Sequence, residues 1–260
     1  MRPESSVLNP QRVQLLVSAM HRDEIAPALA GGCDILDFKD PTQGALGMID
    51  AETLYSISDY FQTHPIDIPV SLALGELTDR LADSKTPLIP SAITYLKMGL
   101  ANTQGMDHWY SDWQDLKKRI EATGQTTFQW IAVAYADWEQ ANSISPQDVL
   151  AAAIESECAG LLIDTYLKQG QTLLDHLSLD ELNTLIEQAH AHQLKIALAG
   201  SLRQKDLAAL SSISPDIIGI RSAACRGSLR TDSVQEQAVR AFRQQLERQT
   251  VLSESGRHIG

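Results

Sequence analysis

The stretch at residues 33–47, CDILDFKDPTQGALG, runs an apolar strand into an acid, a lysine and a glycine-rich turn, the pattern of an active-site edge. Asp37 and Lys39 are two residues apart, so on an extended strand they share a face, while Ile35 and its apolar neighbours supply packing. Pro41 has no amide hydrogen, and with Gly44 and Gly47 it ends the strand and lets the backbone approach a ligand closely. A single Asp-x-Lys pair also suits a salt bridge in water. What separates the two readings is whether the pattern recurs.

It recurs around a regular alternation. Apolar runs of strand length at residues 13–18, 34–39, 68–74, 93–98, 128–135, 160–164, 195–199 and 217–221 alternate with segments of helical period. The helices are predicted at 23–30, 51–63, 87–92, 107–123, 146–157, 179–193, 203–211 and 233–249. Ser145 before Pro146 and Ser178 before LDELNTLIEQ read as helix starts. Strand–helix units in this number and order predict an α/β protein, a single (β/α)8 TIM barrel over residues 12–249, with loose ends at 1–11 and 250–260. No G-x-G-x-x-G follows the first strand, and the spacing is even, which argues against an open doubly wound sheet. A faint internal echo, GGCDILDFK against ECAGLLIDTYLK, lies four strands apart.

Composition narrows the function. A formal charge of −12 disfavours a non-specific grip on nucleic acid or an anionic membrane, since both need clustered Lys and Arg. Cys33, Cys158 and Cys225 are odd in number and hold no C-x-x-C, so a reducing cytoplasm is the expected setting. No run approaches a membrane span, and His190 and His192 are too close together for a helical zinc pair, so neither metal nor cofactor is expected. Barrels often pair through helices and loops, which leaves a homo-oligomer open.

In barrels of this kind the reacting groups lie at the C-terminal ends of strands. That rule sorts the lysines: Lys39 ends strand two, Lys97 ends strand four, and Lys168 follows strand six, while the other five lie elsewhere. Even-numbered strands share side-chain layers, so Asp37, Lys39, Lys97 and Asp164 converge if their inward registers agree. An amine crowded by like charge and by burial loses part of its hold on the proton and becomes a nucleophile. Such an amine condenses with a carbonyl to a Schiff base, and a second lysine or a carboxylate moves protons. Asp37 is expected to orient Lys39, and Asp164 to do the same for Lys97 or Lys168.

A phosphate site is expected where the loops after strands seven and eight meet. Gly200 and Ser201 follow strand seven; Arg221, Ser222, Arg226 and Gly227 follow strand eight, and either arginine suits an oxyanion. Tyr135 and Asp137 at the end of strand five are candidate substrate contacts, and Glu76 after strand three is a further acid. The occupant implied is a small phosphosugar.

The segments LLVSAMHRDEIAPALAGGCDILDFKDPTQGALG, YLKMGL, AYAD, LLIDTYLKQGQTLLD, KIALAGSL and IIGIRSAACRG, in this order, resemble the (5-formylfuran-3-yl)methyl phosphate synthases of methanofuran biosynthesis. The resemblance implies a lyase that joins two molecules of glyceraldehyde 3-phosphate into a furan aldehyde phosphate, with loss of one phosphate and two waters. It implies Lys39 as the Schiff-base lysine and Lys97 as the proton acceptor, with Asp37, Asp164 and Lys168 in support. Asp40, Thr42, Gln43, Ala45, Ser222 and Arg226 depart from the family's usual residues, in the turn after Lys39 and near the expected phosphate loops. Another lysine-dependent aldolase acting on a related phosphosugar, or a non-catalytic barrel, are the competing classes.

Overall fold

The computed structural model describes residues 12–83, 85–123 and 128–257. Eight parallel strands close on themselves: β1 (Gln14–Ala19), β2 (Ile35–Phe38), β3 (Val70–Glu76), β4 (Tyr95–Gly99), β5 (Gln129–Tyr135), β6 (Gly160–Asp164), β7 (Lys195–Leu198) and β8 (Ile217–Ile220). The seam is a direct pairing of first and last strand, with Gln14 opposite Ile217 and Val17 opposite Ile220. Every expected strand is present, each within two residues of its expected ends.

The helices are α1 (Ile25–Ala30), α2 (Ala51–Thr63), α3 (Leu77–Ala82), α4 (Trp109–Glu121), α5 (Pro146–Glu155), α6 (Leu179–Ala191), α7 (Leu207–Leu210) and α8 (Glu236–Arg257). Ser145 Oγ accepts from the amide of Asp148, with Pro146 in the first turn, and Ser178 forms a reciprocal capping box with Glu181. Such caps each contribute about 1 kcal/mol.

Two expectations are corrected. No helix forms at 87–92; the third helix is α3, which starts directly at the end of β3 with no connecting loop. Proline at 87 and 90 starves the later segment of amide donors, whereas LTDRLA has none missing. The chain end is helical to Arg257 rather than loose from residue 250, because no glycine or proline interrupts it before Gly256. Residues 1–11 and 258–260, also expected to be loose, lie outside the described residues.

Apolar side chains divide into two sets. The larger, including Leu15, Phe38, Leu72, Trp113, Ile163 and Phe242, fills the layer between strands and helices. The smaller set, inside the barrel and at its mouth, is alanine-rich: Ala73, Ala101, Ala197 and Ala199 with Val133 and Leu162. Small inward residues leave the upper barrel room for long polar side chains, which is where the lysines go.

Candidate active site

Chain geometry places the lysines before any chemistry is invoked. Lys39 is the first residue beyond β2, and its amide donates to Ala19 O, which holds it to the end of β1. The turn that follows is fastened by Asp40, whose carboxylate accepts from Thr42 N at 2.8 Å and Thr42 Oγ1 at 2.7 Å. Gly47 lies against Asp40 O and Gln43, where any Cβ would overlap backbone. Lys97 stands in β4 between Ala73 on β3 and Ile131 on β5, pointing inward. Asp164 is the last residue of β6, and Lys168 is four residues on.

The pairs that result differ in part from the sequence expectation: Asp164 does hold Lys168, as expected, but Asp37 and Lys39 are not each other's partners. Lys97 Nζ lies 2.6 Å from Asp37 Oδ1, with both side chains at most 2% exposed. Asp37 is therefore partnered by Lys97 and not by its near neighbour Lys39. Ser18 Oγ donates to the other oxygen at 2.8 Å, so both oxygens of Asp37 have a polar neighbour from another strand. Lys39 Nζ lies 3.4 Å from Asp164 Oδ2, while Lys168 Nζ takes Asp164 Oδ1 at 2.8 Å. Even-numbered strands do share one layer, but each carboxylate reaches across to an ammonium from another wall.

The three ammonium groups are held very differently. Lys168 donates to Asp164, Thr165 O and Thr165 Oγ1, which uses all three of its N–H bonds. Lys97 is sealed against Asp37. Lys39 has one long contact and is 7% exposed at the cavity wall, so it is the lysine able to leave its partner for a ligand.

Electrostatics follow from burial and these pairs. Burial lowers the Lys97 ammonium below the ordinary lysine range against the pull of Asp37, with Lys39 pushing the same way. Burial lowers Lys168 too, against Asp164 and with Lys39. For Asp37, burial alone would raise the carboxyl, but Lys97 and Lys39 outweigh it and hold it below the usual carboxylate range. Asp164 behaves likewise: burial opposes, and Lys168 and Lys39 win. The site thus stores ionised carboxylates beside amines that burial has made less basic.

These five residues line one cleft at the C-terminal mouth of the barrel. Gly200 and Ser201 from the loop after β7, and Arg221 and Ser222 from the loop after β8, share the wall. Gly200 has φ +106° and packs on Thr165, where a Cβ would crowd Thr165 Cγ2. Arg226 and Gly227 are exposed and do not line the cleft, because the chain turns outward there through Gly227 at φ +60°.

Other expected contacts are displaced as well. Arg221 gives all five N–H bonds to protein: to Glu24 twice, at 2.8 and 3.0 Å, and to the carbonyls of Ser18, Arg230 and Asp232. It frames the cleft but has no donor left for an oxyanion. Asp137 accepts from the amides of Tyr166 and Leu167, so it fastens the loop that carries Lys168. Tyr135 is fully buried and donates to Glu76 Oε1 at 2.6 Å, outside the cleft lining. Sequence reading missed Ser18, Thr165, Glu24 and Arg230. Ser18 was within reach, since it sits opposite Asp37 in the β1–β2 register. Among the described residues no group of three or more His, Cys, Asp or Glu is placed to hold a metal ion, and no helix is long and apolar enough to cross a membrane.

Comparison with known proteins agrees with this architecture. A (5-formylfuran-3-yl)methyl phosphate synthase of Methanopyrus kandleri is 33% identical over 236 residues, covering 87% of this chain and 98% of the relative. The synthase of the same name from Methanocaldococcus jannaschii is 33% identical over 223 residues, covering 84% and 92%. Of solved structures, 3-hexulose-6-phosphate synthase from Salmonella typhimurium superposes with a TM-score of 0.54 at 12% identity over 91% of this chain and all of that one. A native KDPGal structure gives 0.55 at 9% identity, over 96% and 98%. At that identity the two structures speak for the fold alone. The family model described as 4-HFC-P synthase matches residues 15–243. A match that opens in β1, passes through every strand and ends within α8 is to the whole barrel and not to a fragment of it: the chain belongs to the 4-HFC-P synthase family.

Proposed function

We propose that this chain is a (5-formylfuran-3-yl)methyl phosphate synthase, a carbon–oxygen lyase acting on phosphates that feeds methanofuran-type cofactor biosynthesis. Two molecules of glyceraldehyde 3-phosphate give one furan aldehyde phosphate, one phosphate and two waters, which balances every atom. The reaction needs a carbonyl activated, protons moved from carbon, and three oxygens expelled, one as phosphate and two as water. Lys39 supplies the first: its amine adds to the aldehyde and loses water to form an iminium, which acidifies the adjacent carbon. Asp37 and Lys97, touching at 2.6 Å, form the proton-moving pair. Asp164, held by Lys168, faces the Lys39 amine and stabilises the iminium charge.

The observation that supports this reading most is the inequality among the amines. All three line the cleft, but Lys168 has every N–H engaged and Lys97 touches Asp37 at 2.6 Å, whereas Lys39 has one contact, at 3.4 Å. Borohydride added with glyceraldehyde 3-phosphate is expected to add covalent mass at Lys39, and Lys39→Ala to abolish both the adduct and the appearance of furan absorbance. Undiminished labelling of that variant would remove Lys39 from the mechanism. An adduct at Lys39 without any furan product would instead make the enzyme a simple Schiff-base aldolase for a related phosphosugar.

A further inference from the structure

Two arginines from the end of β8 reach this cleft, and they differ in how much of each is already spent. Arg221 has all five N–H bonds committed to Glu24 and backbone carbonyls. Arg230, nine residues on, is brought back over the mouth by the turn at Arg226–Ser228. It lines the cleft beside Lys39 and Lys168, and donates one N–H to Gly44 O at 2.9 Å. Among the described residues no protein acceptor takes its remaining donors. We propose that Arg230 is the anion anchor of this site and grips the phosphate ester of the substrate, the part that Arg221 seemed suited to from sequence.

The charge count supports an anion of this kind. The cleft carries Lys39, Lys97, Lys168 and Arg230 against Asp37 and Asp164, four formal positive charges against two negative, with Arg221 already balanced by Glu24. A surplus of two inside a chain of net charge −12 suits a phosphate monoester, which carries about −1.5 to −2 near neutral pH. The guanidinium fork meets phosphate oxygens with two parallel hydrogen bonds, which an ammonium does not. The Gly44 carbonyl that steadies Arg230 belongs to the turn immediately after Lys39, so anchor and amine are set relative to each other by one short loop. With the phosphate on Arg230, the aldehyde end of a three-carbon ester is left for Lys39.

This inference rests on reading the cleft as a phosphorylated-aldehyde site, and the test keeps the two apart. The first arm is binding of inorganic phosphate by titration calorimetry and by thermal shift, with no aldehyde present. Arg230→Ala and Arg230→Gln are expected to weaken phosphate binding about 10- to 100-fold, the loss of a charged hydrogen-bonding partner. Lys118→Ala, on the far solvent face of α4, is expected to change nothing. Arg230→Gln keeps an amide for Gly44 O, so it separates anchoring from mere tethering. A variant with a lower melting temperature but an undiminished response to phosphate overturns the proposal, as does a native protein that binds no phosphate. The second arm is borohydride labelling with unphosphorylated glyceraldehyde, which asks only about Lys39. Labelling lost everywhere with phosphate binding still dependent on Arg230 leaves the anchor standing and fells the Schiff-base reading. Labelling retained with phosphate binding indifferent to Arg230 does the reverse.

Discussion

Asp164 and Glu76 each end a strand at the same rim of the barrel, yet their carboxyl groups are pushed in opposite directions. Burial raises both. For Asp164 the ammonium groups of Lys168 and Lys39 overturn that and hold the acid ionised. For Glu76 burial prevails: Tyr135 Oη and the amide of Ala101 donate to it at 2.6 and 2.8 Å, but among the described residues no cation forms an ion pair with it, and Asp79 and Asp164 add repulsion. Neutral donors satisfy a carboxyl group without keeping it charged; an ammonium does both. One rim therefore holds carboxyls pushed towards ionisation on the even strands and one pushed the other way between β3 and β5.

The strongest way to break this contrast is to remove its charged half. Asp164→Asn keeps the shape and leaves Lys39 and Lys168 facing each other, so a loss of about 3–5 kcal/mol in urea stability is expected, with turnover down about 10²- to 10⁴-fold. A variant as stable as the parent would show that these ammonium groups need no counter-charge. Next comes Gly99→Ala, whose new Cβ would overlap Glu76 Oε2 and Tyr135 Oη and prise the second pair apart. Overpacking of this kind costs about 1–3 kcal/mol, readable as a shifted denaturation midpoint.

The pH dependence sharpens the comparison further, because the signs differ. Asp164 has a lowered folded pKa, so its contribution is present above about pH 3.9 and is lost as the pH falls. Glu76 has a raised folded pKa: the unfolded chain releases its proton first, so Glu76 costs stability progressively as the pH rises above about 4.3. Stability measured from pH 3 to 7 should show Asp164→Asn losing ground to the parent as pH increases and Glu76→Gln gaining it. Parallel curves would mean that the two carboxyls titrate alike. At neutral pH the smallest effect is expected for Lys118→Ala, within about 0.5 kcal/mol, since its pair with Asp115 is solvated.

How much of this was legible in the sequence depended on whether the signal was periodic or relational. The strands were readable because each is a short apolar run closed by turn residues, and barrel closure followed from their number. The third helix was misplaced because LTDRLA begins where β3 stops, with no capping residue or loop to announce it. In the site, Lys39, Lys97, Asp37 and Asp164 were found by their places at strand ends. Their partnerships were not, because the two-residue spacing of Asp37 and Lys39 describes a strand, and Lys39 lies just past the end of one. Arg221 looked free for the same reason Arg230 went unseen. Neither the Glu24 that engages the first nor the turn that returns the second leaves a mark near it in the chain.

The bonds of Arg221 have a consequence for assembly. They join the residue after the last strand to Ser18 in the first strand and to Glu24 just beyond it, and Glu24 in turn takes the amide of Val234. This clasp sits on the only seam whose two strands are synthesised at opposite ends of the barrel. Without β8 the facing edges of β1 and β7 lose their partner, and the cleft lacks the wall that Gly219, Ile220 and Arg221 form. The clasp that closes the seam thus also completes the cleft wall, and through its bond to the Arg230 carbonyl it fixes the segment that brings that arginine beside Lys39.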